Sequence, residues 1–300
     1  MDPQRDWQFL DDRGRLAAAP RQPSRIVAYI QAGATLWDHG IVPVGLFGSG
    51  HDGERPDPVK AGALPVEDIA YLGSGPELTA DSLLGAGPDL VVAVTYGGGQ
   101  VYGIDPEVAK HLEESVPVVV LDVGQGRELG DVRDRFTALA QALGDGDGAG
   151  TAPGARDFEA AVRDFDAAAV RLRTAAAGPA LPRVLALSPA GPDAHLARPR
   201  AWADLRALTE HGVDVVAPAE GPGANWSTVP GAEVAALAPD ILLADARANA
   251  TPLQDLRADE HWRALLDGVR VVVPWNPEAP CSHAAHARFF DSVTAALRGG

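Results

Sequence analysis

Residues 88–94, Pro-Asp-Leu-Val-Val-Ala-Val, and residues 239–244, Pro-Asp-Ile-Leu-Leu-Ala, decide the fold. Each is a short apolar run behind a short helical pattern and a Pro-Asp turn, which is typical of a strand buried on both faces of a parallel sheet. Two more pairs of segments repeat in the same order, 36–41 with 208–213 and 116–121 with 269–273. The chain therefore consists of two similar halves.

Strand-like runs alternate with helical patterns in both halves, which predicts parallel sheets covered by helices. Between the halves, residues 144–154 are a Gly, Asp, Ala and Pro stretch typical of a linker. The next segment carries one apolar stripe that predicts a helix over 155–177, about 35 Å long. The predicted strands are 25–30, 41–46, 68–72, 89–95 and 117–123 in the first half, and 183–188, 213–217, 240–245 and 269–273 in the second.

These patterns predict an α/β protein of two Rossmann-like lobes with parallel sheets. We expect an N-terminal lobe over 1–150 with an extended lead-in over 1–24, and a C-terminal lobe over 180–300. The single long helix over 155–177 joins them. Ligands of open parallel sheets bind beyond the carboxyl ends of the strands, so we expect a ligand cleft between the lobes.

Composition excludes several classes of protein. The 300 residues include 41 acidic and 25 basic ones, a formal charge of −16 that repels nucleic acid and anionic lipid. The one cysteine, Cys281, excludes internal disulfides and cysteine-based metal cages. The apolar runs are far shorter than the roughly 20 residues of a membrane helix. No export signal or lipobox follows Met1, so we expect a cytoplasmic protein if Met1 is the native start.

The order of several segments is similar to that of one known family. Residues 9–14 (Phe-Leu-Asp-Asp-Arg-Gly) look like its lead-in hairpin, residues 23–28 (Pro-Ser-Arg-Ile-Val-Ala) look like its first strand, and both Pro-Asp segments look like its recurring element. From Trp7 onward the chain resembles the class III substrate-binding proteins of ABC importers, the siderophore, haem and cobalamin type. The resemblance implies a monomeric, extracytoplasmic, membrane-anchored binding protein that serves an ABC permease. It also implies no catalytic residues and no intrinsic cofactor, with an Fe(III)-siderophore as the expected ligand.

Side chains that come directly after the predicted strands are the candidate ligand contacts. In the first lobe these include two phenols beside the triple glycine at 97–99, which lets them reach past a backbone without bulk. A flexible glycine loop with surface tyrosines is the alternative. No Lys-Ser or Lys-Thr comes after the glycines, so a P-loop is rejected. The first-lobe candidates are Gln31, His51, Tyr96, Gln100 and Tyr102.

The second lobe offers arginines and tryptophans after its strands. Arginine has a rigid fork for anionic oxygens, and tryptophan has a flat face for an aromatic or macrocyclic ligand. A ferric siderophore is often anionic and has such surfaces. Arginines paired with local acids and tryptophans that only pack are the alternative. The candidates are Arg198, Arg200, Trp202, Trp226, Arg247 and Trp275.

Other residue clusters bear on metal binding, catalysis and docking. His283 and His286 share a helix face and are a weak alternative metal site, with only His51 to match them in the first lobe. In Cys281-Ser282-His283, sequence neighbours rarely form a catalytic dyad. For permease docking, the resemblance implies Asp81 and Glu233, although Glu233 stands six residues ahead of its Pro rather than seven.

The expected function is binding of a ferric siderophore or similar metal chelate for an ABC importer. One alternative is an intracellular homologue that binds, releases or modifies such a ligand, in which case the protein is an enzyme or a store. The other alternative is a cobalamin- or haem-binding protein.

Overall fold

The computed structural model describes residues 6–124, 126–144 and 158–299, which form two compact units. Unit 1 comprises Met1–Ala160 and the short segment Glu278–Ser282, and unit 2 comprises Ala161–Pro277 and His283–Gly300. The chain therefore contributes five residues from its C-terminal part to unit 1. Apart from Gly144, the predicted linker over 144–154 lies outside the described residues, as do residues 155–157 of the predicted helix.

Unit 1 contains a five-stranded parallel sheet and an N-terminal hairpin. The hairpin strands are β1 (Trp7–Leu10) and β2 (Leu16–Ala19), and the sheet strands are β3 (Ile26–Tyr29), β4 (Gly45–Phe47), β5 (Ala70–Tyr71), β6 (Leu90–Thr95) and β7 (Val118–Asp122). The helices are α1 (Ile30–Asp38), α2 (Pro58–Ala61), α3 (Ala80–Leu84), α4 (Pro106–Ser115) and α5 (Leu129–Leu143). The strand order β5-β4-β3-β6-β7 places a topological switch point between β3 and β6.

The sequence explains why unit 1 forms these elements. All six residues of β6 are buried, as expected for a central strand covered on both faces. The hairpin covers the free edge of β7, since the Asp12 amide donates to the Val120 carbonyl at 3.1 Å and the Asp122 amide donates to the Asp12 carboxylate at 2.8 Å. The hairpin residues of the predicted lead-in, Trp7–Leu10 and Leu16–Ala19, are therefore part of this lobe.

Unit 2 contains a five-stranded mixed sheet. A long helix, α6 (Phe158–Ala175), leads into it from the last residues of unit 1. The strands are β8 (Val184–Ala190), β9 (Asp193–Ala197), β10 (Trp226–Pro230), β11 (Ile241–Asp245) and β12 (Val271–Trp275), in the order β10-β9-β8-β11-β12. The other helices are α7 (Ala203–Glu210), α8 (Gly231–Ala236), α9 (Leu253–Leu256), α10 (Glu260–Gly268) and α11 (His283–Arg298).

The two predicted α/β lobes are confirmed, but the second sheet is mixed rather than wholly parallel. β8, β11 and β12 run parallel, whereas β9 and β10 pair antiparallel. The predicted strand over 213–217 makes only a single bridge, between Val184 and Val215. Strands β9 and β10 were not predicted. Gly191-Pro192, directly before β9, is typical of a loop, and β10 is a partly exposed strand without an apolar run. The predicted cleft between the lobes stays a prediction.

Within the described part of the chain, no helix combines the length and the apolarity needed to cross a membrane.

Gly33 in α1 gives a test of how closely this helix packs on the sheet. A Cβ at Gly33 would lie 2.5 Å from Leu46 Cδ2, a fully buried side chain of β4. We expect Gly33→Ala to lower the free energy of unfolding by about 1–3 kcal/mol through overpacking. The control is Gly130→Ala in the first turn of α5, where nothing lies within 4 Å of the added Cβ. We expect the control to stabilise by up to about 1 kcal/mol through helix propensity. Urea unfolding curves check both values, and equal effects would contradict the packing account.

Candidate functional site

In unit 1, three tyrosines cluster beside the switch point. Tyr29 ends β3, Tyr96 comes directly after β6, and Tyr102 lies between them with ring centroids 5.5 Å from Tyr29 and 4.7 Å from Tyr96, both edge to face. Tyr29 is fully buried, whereas Tyr96 and Tyr102 are partly exposed. We call Tyr29, Tyr96 and Tyr102 the tyrosine cluster. Two phenols of the cluster thus reach the surface of unit 1, while the third, Tyr29, is buried behind them.

Gln31 lies below this surface, in the first turn of α1. Its side-chain amide donates to the Ala279 carbonyl at 3.0 Å, and its carbonyl oxygen accepts from the Tyr96 hydroxyl at 3.3 Å. Only 3% of the residue is exposed. Gln31 therefore holds Tyr96 and the segment Glu278–Ser282 in place.

A buried lysine holds the loop after β4 and the same segment. Lys60 Nζ lies 2.9 Å from the Asp52 carboxylate and 3.1 Å from the Glu278 carboxylate, with side-chain exposures of 0%, 2% and 2%. The backbone amide and hydroxyl of Ser49 also donate to Asp52, at 2.7 and 2.9 Å. The Tyr29 hydroxyl donates to Glu278. We call Lys60, Asp52 and Glu278 the lysine network.

The lysine network connects chemically to the tyrosine cluster through Tyr29. Burial, followed by the charge of Glu278, raises the pKa of the Tyr29 hydroxyl well above its ordinary value. The hydroxyl is therefore protonated throughout the physiological range and acts as a hydrogen-bond donor to Glu278.

The other first-lobe candidates lie on exposed loops. His51 and Gln100 are both exposed, and Gly97, Gly98 and Gly99 all adopt positive φ, at 109°, 72° and 71°. The positive φ angles favour glycine at these positions. Crowding is not the reason at Gly97 or Gly98, because a Cβ there would meet nothing within 4 Å. At Gly124, by contrast, a Cβ would lie 2.3 Å from the backbone of Tyr96, so this glycine permits two loops to approach closely.

In unit 2, three tryptophans from different elements meet. Trp202 precedes α7, Trp226 begins β10 and Trp275 ends β12. Their ring centroids are 5.0 Å apart for Trp202 and Trp226, 5.7 Å for Trp202 and Trp275, and 5.8 Å for Trp226 and Trp275. Trp226 is the partly exposed member, whereas Trp202 and Trp275 are buried. We call the three the tryptophan cluster.

Two of the three indole N–H groups are used within unit 2. Trp202 Nε1 donates to the Asn225 carbonyl at 3.2 Å, and Trp275 Nε1 donates to Asp204 Oδ2 at 2.7 Å. Burial raises the pKa of the Asp204 carboxyl to about 6, although the hydrogen bonds from Trp275 and from the Leu205 amide act in the opposite direction. Asp204 thus fixes the orientation of Trp275.

The arginines of unit 2 differ in their surroundings. Arg247 is 8% exposed and forms a buried ion pair with Asp245, with Nε 3.0 Å from Oδ1 and a terminal nitrogen 2.7 Å from Oδ2. Arg198 donates to the carbonyls of Ala219 and Gly221 at 3.4 and 3.1 Å. Arg200 is exposed.

The structure brings four of the six second-lobe candidates together. Asp245 and Trp275 are register partners on β11 and β12, so Arg247 stands next to the tryptophan cluster. His195 lies close to the same cluster, with its ring 6.4 Å from that of Trp226 and its Nδ1 2.8 Å from the Thr228 hydroxyl.

The histidines and the cysteine occupy structural positions. His283 begins α11 with its ring 5.8 Å from that of Phe165, and His286 is buried. Among residues 6–124, 126–144 and 158–299, no group of three or more His, Cys, Asp or Glu side chains is placed to hold a metal ion. Cys281 is buried with its amide donating to the Thr35 hydroxyl at 2.8 Å, and the Ser282 hydroxyl donates to Asp38.

The two residues implied for permease docking are exposed. Asp81 lies in the first turn of α3, and Glu233 lies in the first turn of α8.

The sequence did not predict the residues that hold the candidate side chains in place through ring contacts, hydrogen bonds and ion pairs. These are Tyr29, Asp52, Lys60, Asp204, Asp245 and Glu278. Two of them carried a usable signal. Lys60 is one of only two lysines in the chain, and Asp245 ends a fully apolar strand. The pairing of Lys60 with Glu278, 218 positions later, has no local signature.

Comparison with solved structures gives matches that cover nearly the whole chain. The chain is 28% identical to DesE, a ferric-siderophore receptor protein from Streptomyces coelicolor, with a TM-score of 0.83 over 97% of both chains. The siderophore periplasmic binding protein from the fuscachelin gene cluster of Thermobifida fusca is 19% identical, with a TM-score of 0.64 over 93% of this chain and 98% of that one. The periplasmic heme-binding protein BhuT is 22% identical, with a TM-score of 0.61 over 92% of this chain and 99% of that one. No family model and no curated protein matches the sequence.

These matches confirm the resemblance seen in the sequence. The chain has the two-lobed α/β fold of the class III substrate-binding proteins, whose solved members include siderophore and haem binders.

Lys60 provides a test of the lysine network, with the other lysine of the chain as its control. Lys60→Met leaves the carboxylates of Asp52 and Glu278 buried without their cation, so we expect the free energy of unfolding to fall by about 3–5 kcal/mol. Lys110→Met, at an exposed position on α4, should change it by less than about 0.5 kcal/mol. Chemical unfolding measures both. A near-neutral Lys60→Met would show that the network does not stabilise unit 1.

Asp204 predicts a specific pH dependence. Its pKa is raised from 3.8 to about 6 in the folded protein. Between these pH values the folded protein binds more protons at this carboxyl than the unfolded chain does, so the free energy of unfolding falls as the pH rises through this range. We expect Asp204→Asn to gain stability relative to the wild type by up to about 3 kcal/mol between pH 4 and pH 7. Unfolding curves at pH 4, 5.5 and 7 measure this change, with Asp214→Asn at an exposed position as control. A difference that stays constant with pH would contradict the prediction.

Proposed function

We propose that this protein is the substrate-binding component of an ABC importer and that it binds a ferric siderophore or a similar metal chelate. The observation that carries the proposal is the tryptophan cluster of unit 2, three indoles with ring centroids within 5.8 Å of one another, of which Trp226 is partly exposed. The likeness to a ferric-siderophore receptor over 97% of both chains supports it.

The geometry favours recognition through ring surfaces. The N–H groups of Trp202 and Trp275 are bonded within unit 2 and both rings are buried, so they support Trp226, whose partly exposed ring is the surface offered to a ligand. The partly exposed phenols of Tyr96 and Tyr102 are the proposed contacts of unit 1. Tyr29 packs on Tyr102, and Gln31 accepts from the Tyr96 hydroxyl. In this proposal the metal ion remains with its chelator, and the protein binds the organic shell.

The remaining candidates have separate roles in the proposal. His51 and Gln100 contact the ligand from exposed loops, while Gln31 positions Tyr96. Asp81 and Glu233 dock on an ABC permease, and the protein acts outside the cytoplasm as a binding protein, not an enzyme. Haem and cobalamin are tested in the same screen as ferric chelates.

Trp226 gives the direct test of ligand binding. We expect ferric chelates to quench tryptophan fluorescence and to raise the melting temperature in proportion to RT ln(1 + [L]/Kd). The panel is ferric desferrioxamine B, a ferric catecholate, ferric citrate, haem, cobalamin and zinc. Trp226→Ala should weaken binding at least about tenfold, the loss of roughly 1.4 kcal/mol of ring contact.

The control is Trp7→Ala, a buried residue on β1 whose indole donates to the Ala142 carbonyl at 2.9 Å. This variant should lower the melting temperature and leave the Kd unchanged, which separates stability from binding. A wild-type protein that responds to none of the chelates would refute the proposed function.

A further inference from the structure

The ion pair of Asp245 and Arg247 bears on the charge of the ligand. Three arginines near the tryptophan cluster suggest, from sequence alone, a site for an anion. In the structure, however, Arg247 directs its Nε and a terminal nitrogen at the two carboxylate oxygens of Asp245, at 3.0 and 2.7 Å. The fork that would bind an anionic ligand is occupied by the protein's own carboxylate.

The pair is buried and rigidly placed. The Asp245 side chain is 0% exposed and that of Arg247 is 8% exposed. Asp245 Oδ1 also accepts from the backbone amide of Arg247 at 3.0 Å, which closes a tight turn at the end of β11. A buried pair held by four hydrogen bonds does not open readily to admit another anion.

The pair also lies at the tryptophan cluster. Asp245 is the register partner of Trp275 on the neighbouring parallel strand, and the Ala246 amide donates to the Trp275 carbonyl at 2.8 Å. Asp204 adds a second carboxylate, bonded to the Trp275 indole. Arg198 donates to two backbone carbonyls, and the charge of the exposed Arg200 is screened by solvent.

We propose that Asp245 is a specificity-determining residue, which neutralises Arg247 and makes the site select neutral or cationic metal chelates over anionic ones. This inference rests on the proposed function and narrows its ligand class. It differs from the expectation that the arginines favour an anionic siderophore.

The test uses one chelate in three charge states. The ferric complex of desferrioxamine B has a net charge of +1 with its terminal amine free, 0 when the amine is acetylated and −1 when it is succinylated. Fluorescence titration gives a Kd for each complex. In the wild type, the succinylated complex should bind no more tightly than the acetylated one.

Asp245→Asn removes the neutralising charge and keeps the shape of the side chain. A unit charge acting over about 8 Å at an effective dielectric of about 40 changes the binding of another charge about fivefold. We therefore expect the preference for the succinylated over the acetylated complex to rise about fivefold in Asp245→Asn. The double variant Asp245→Asn with Arg247→Met removes both charges and should return this ratio to that of the wild type.

The outcomes separate the inference from the proposed function. An unchanged ratio in Asp245→Asn, or a wild type that prefers the succinylated complex, overturns the charge role of Asp245 and leaves the proposed function standing. Binding of ferric citrate or a ferric catecholate with no binding of the three hydroxamate complexes does the same. Binding of no chelate overturns both. If Asp245→Asn fails to fold, the wild-type order of the three Kd values still decides.

Discussion

The ion pairs of Lys60 with Asp52 and Glu278 are the constraint on which the rest of unit 1 depends. A fully buried ammonium group is tolerated only when opposite charges and hydrogen bonds surround it, and Lys60 has two carboxylates within 3.1 Å. Each carboxylate organises a different part of the chain, Asp52 the loop after β4 and Glu278 the segment that the C-terminal part contributes. One buried cation thus fixes two segments far apart in sequence.

The same network determines the shape of the candidate surface in unit 1. Glu278 accepts from Tyr29, Tyr29 packs edge to face on Tyr102, and Tyr102 packs on Tyr96. Gln31 connects Tyr96 back to the segment that carries Glu278. The partly exposed phenols are therefore placed by ring contacts with a buried tyrosine and by a hydrogen bond to a buried glutamine, which gives these side chains defined positions.

Much of this could be predicted from the sequence, and the failures have physical causes. The predictions of the central strands around Leu90 and Ile241 were confirmed, because strands buried on both faces have almost entirely apolar sequences. β9 was missed because the Gly191-Pro192 turn directly before it resembles the end of a strand region, and β10 was missed because it is a partly exposed edge strand without an apolar run. The tryptophan cluster was predictable because its members come at or just after the ends of predicted strands and loops on one sheet edge. The partners of Lys60, Trp275 and Arg247 were missed because which acid a buried cation or indole meets is decided by packing.

Both units contain a buried basic side chain that is paired with carboxylates, but the two pairs lie in different surroundings. In unit 1 a buried cation meets two carboxylates, and the lysine network acts behind the phenols without facing the surface. In unit 2 a single carboxylate, that of Asp245, pairs with Arg247, and Asp245 is the register partner of Trp275 in the tryptophan cluster. The number of arginines in a sequence overstates the positive charge of a site when an acidic residue at the end of a strand pairs with an arginine two positions later. The pattern Asp245-Ala246-Arg247 at the end of β11 is such a case, because the Asp245 carboxylate accepts from both the backbone amide and the guanidinium of Arg247.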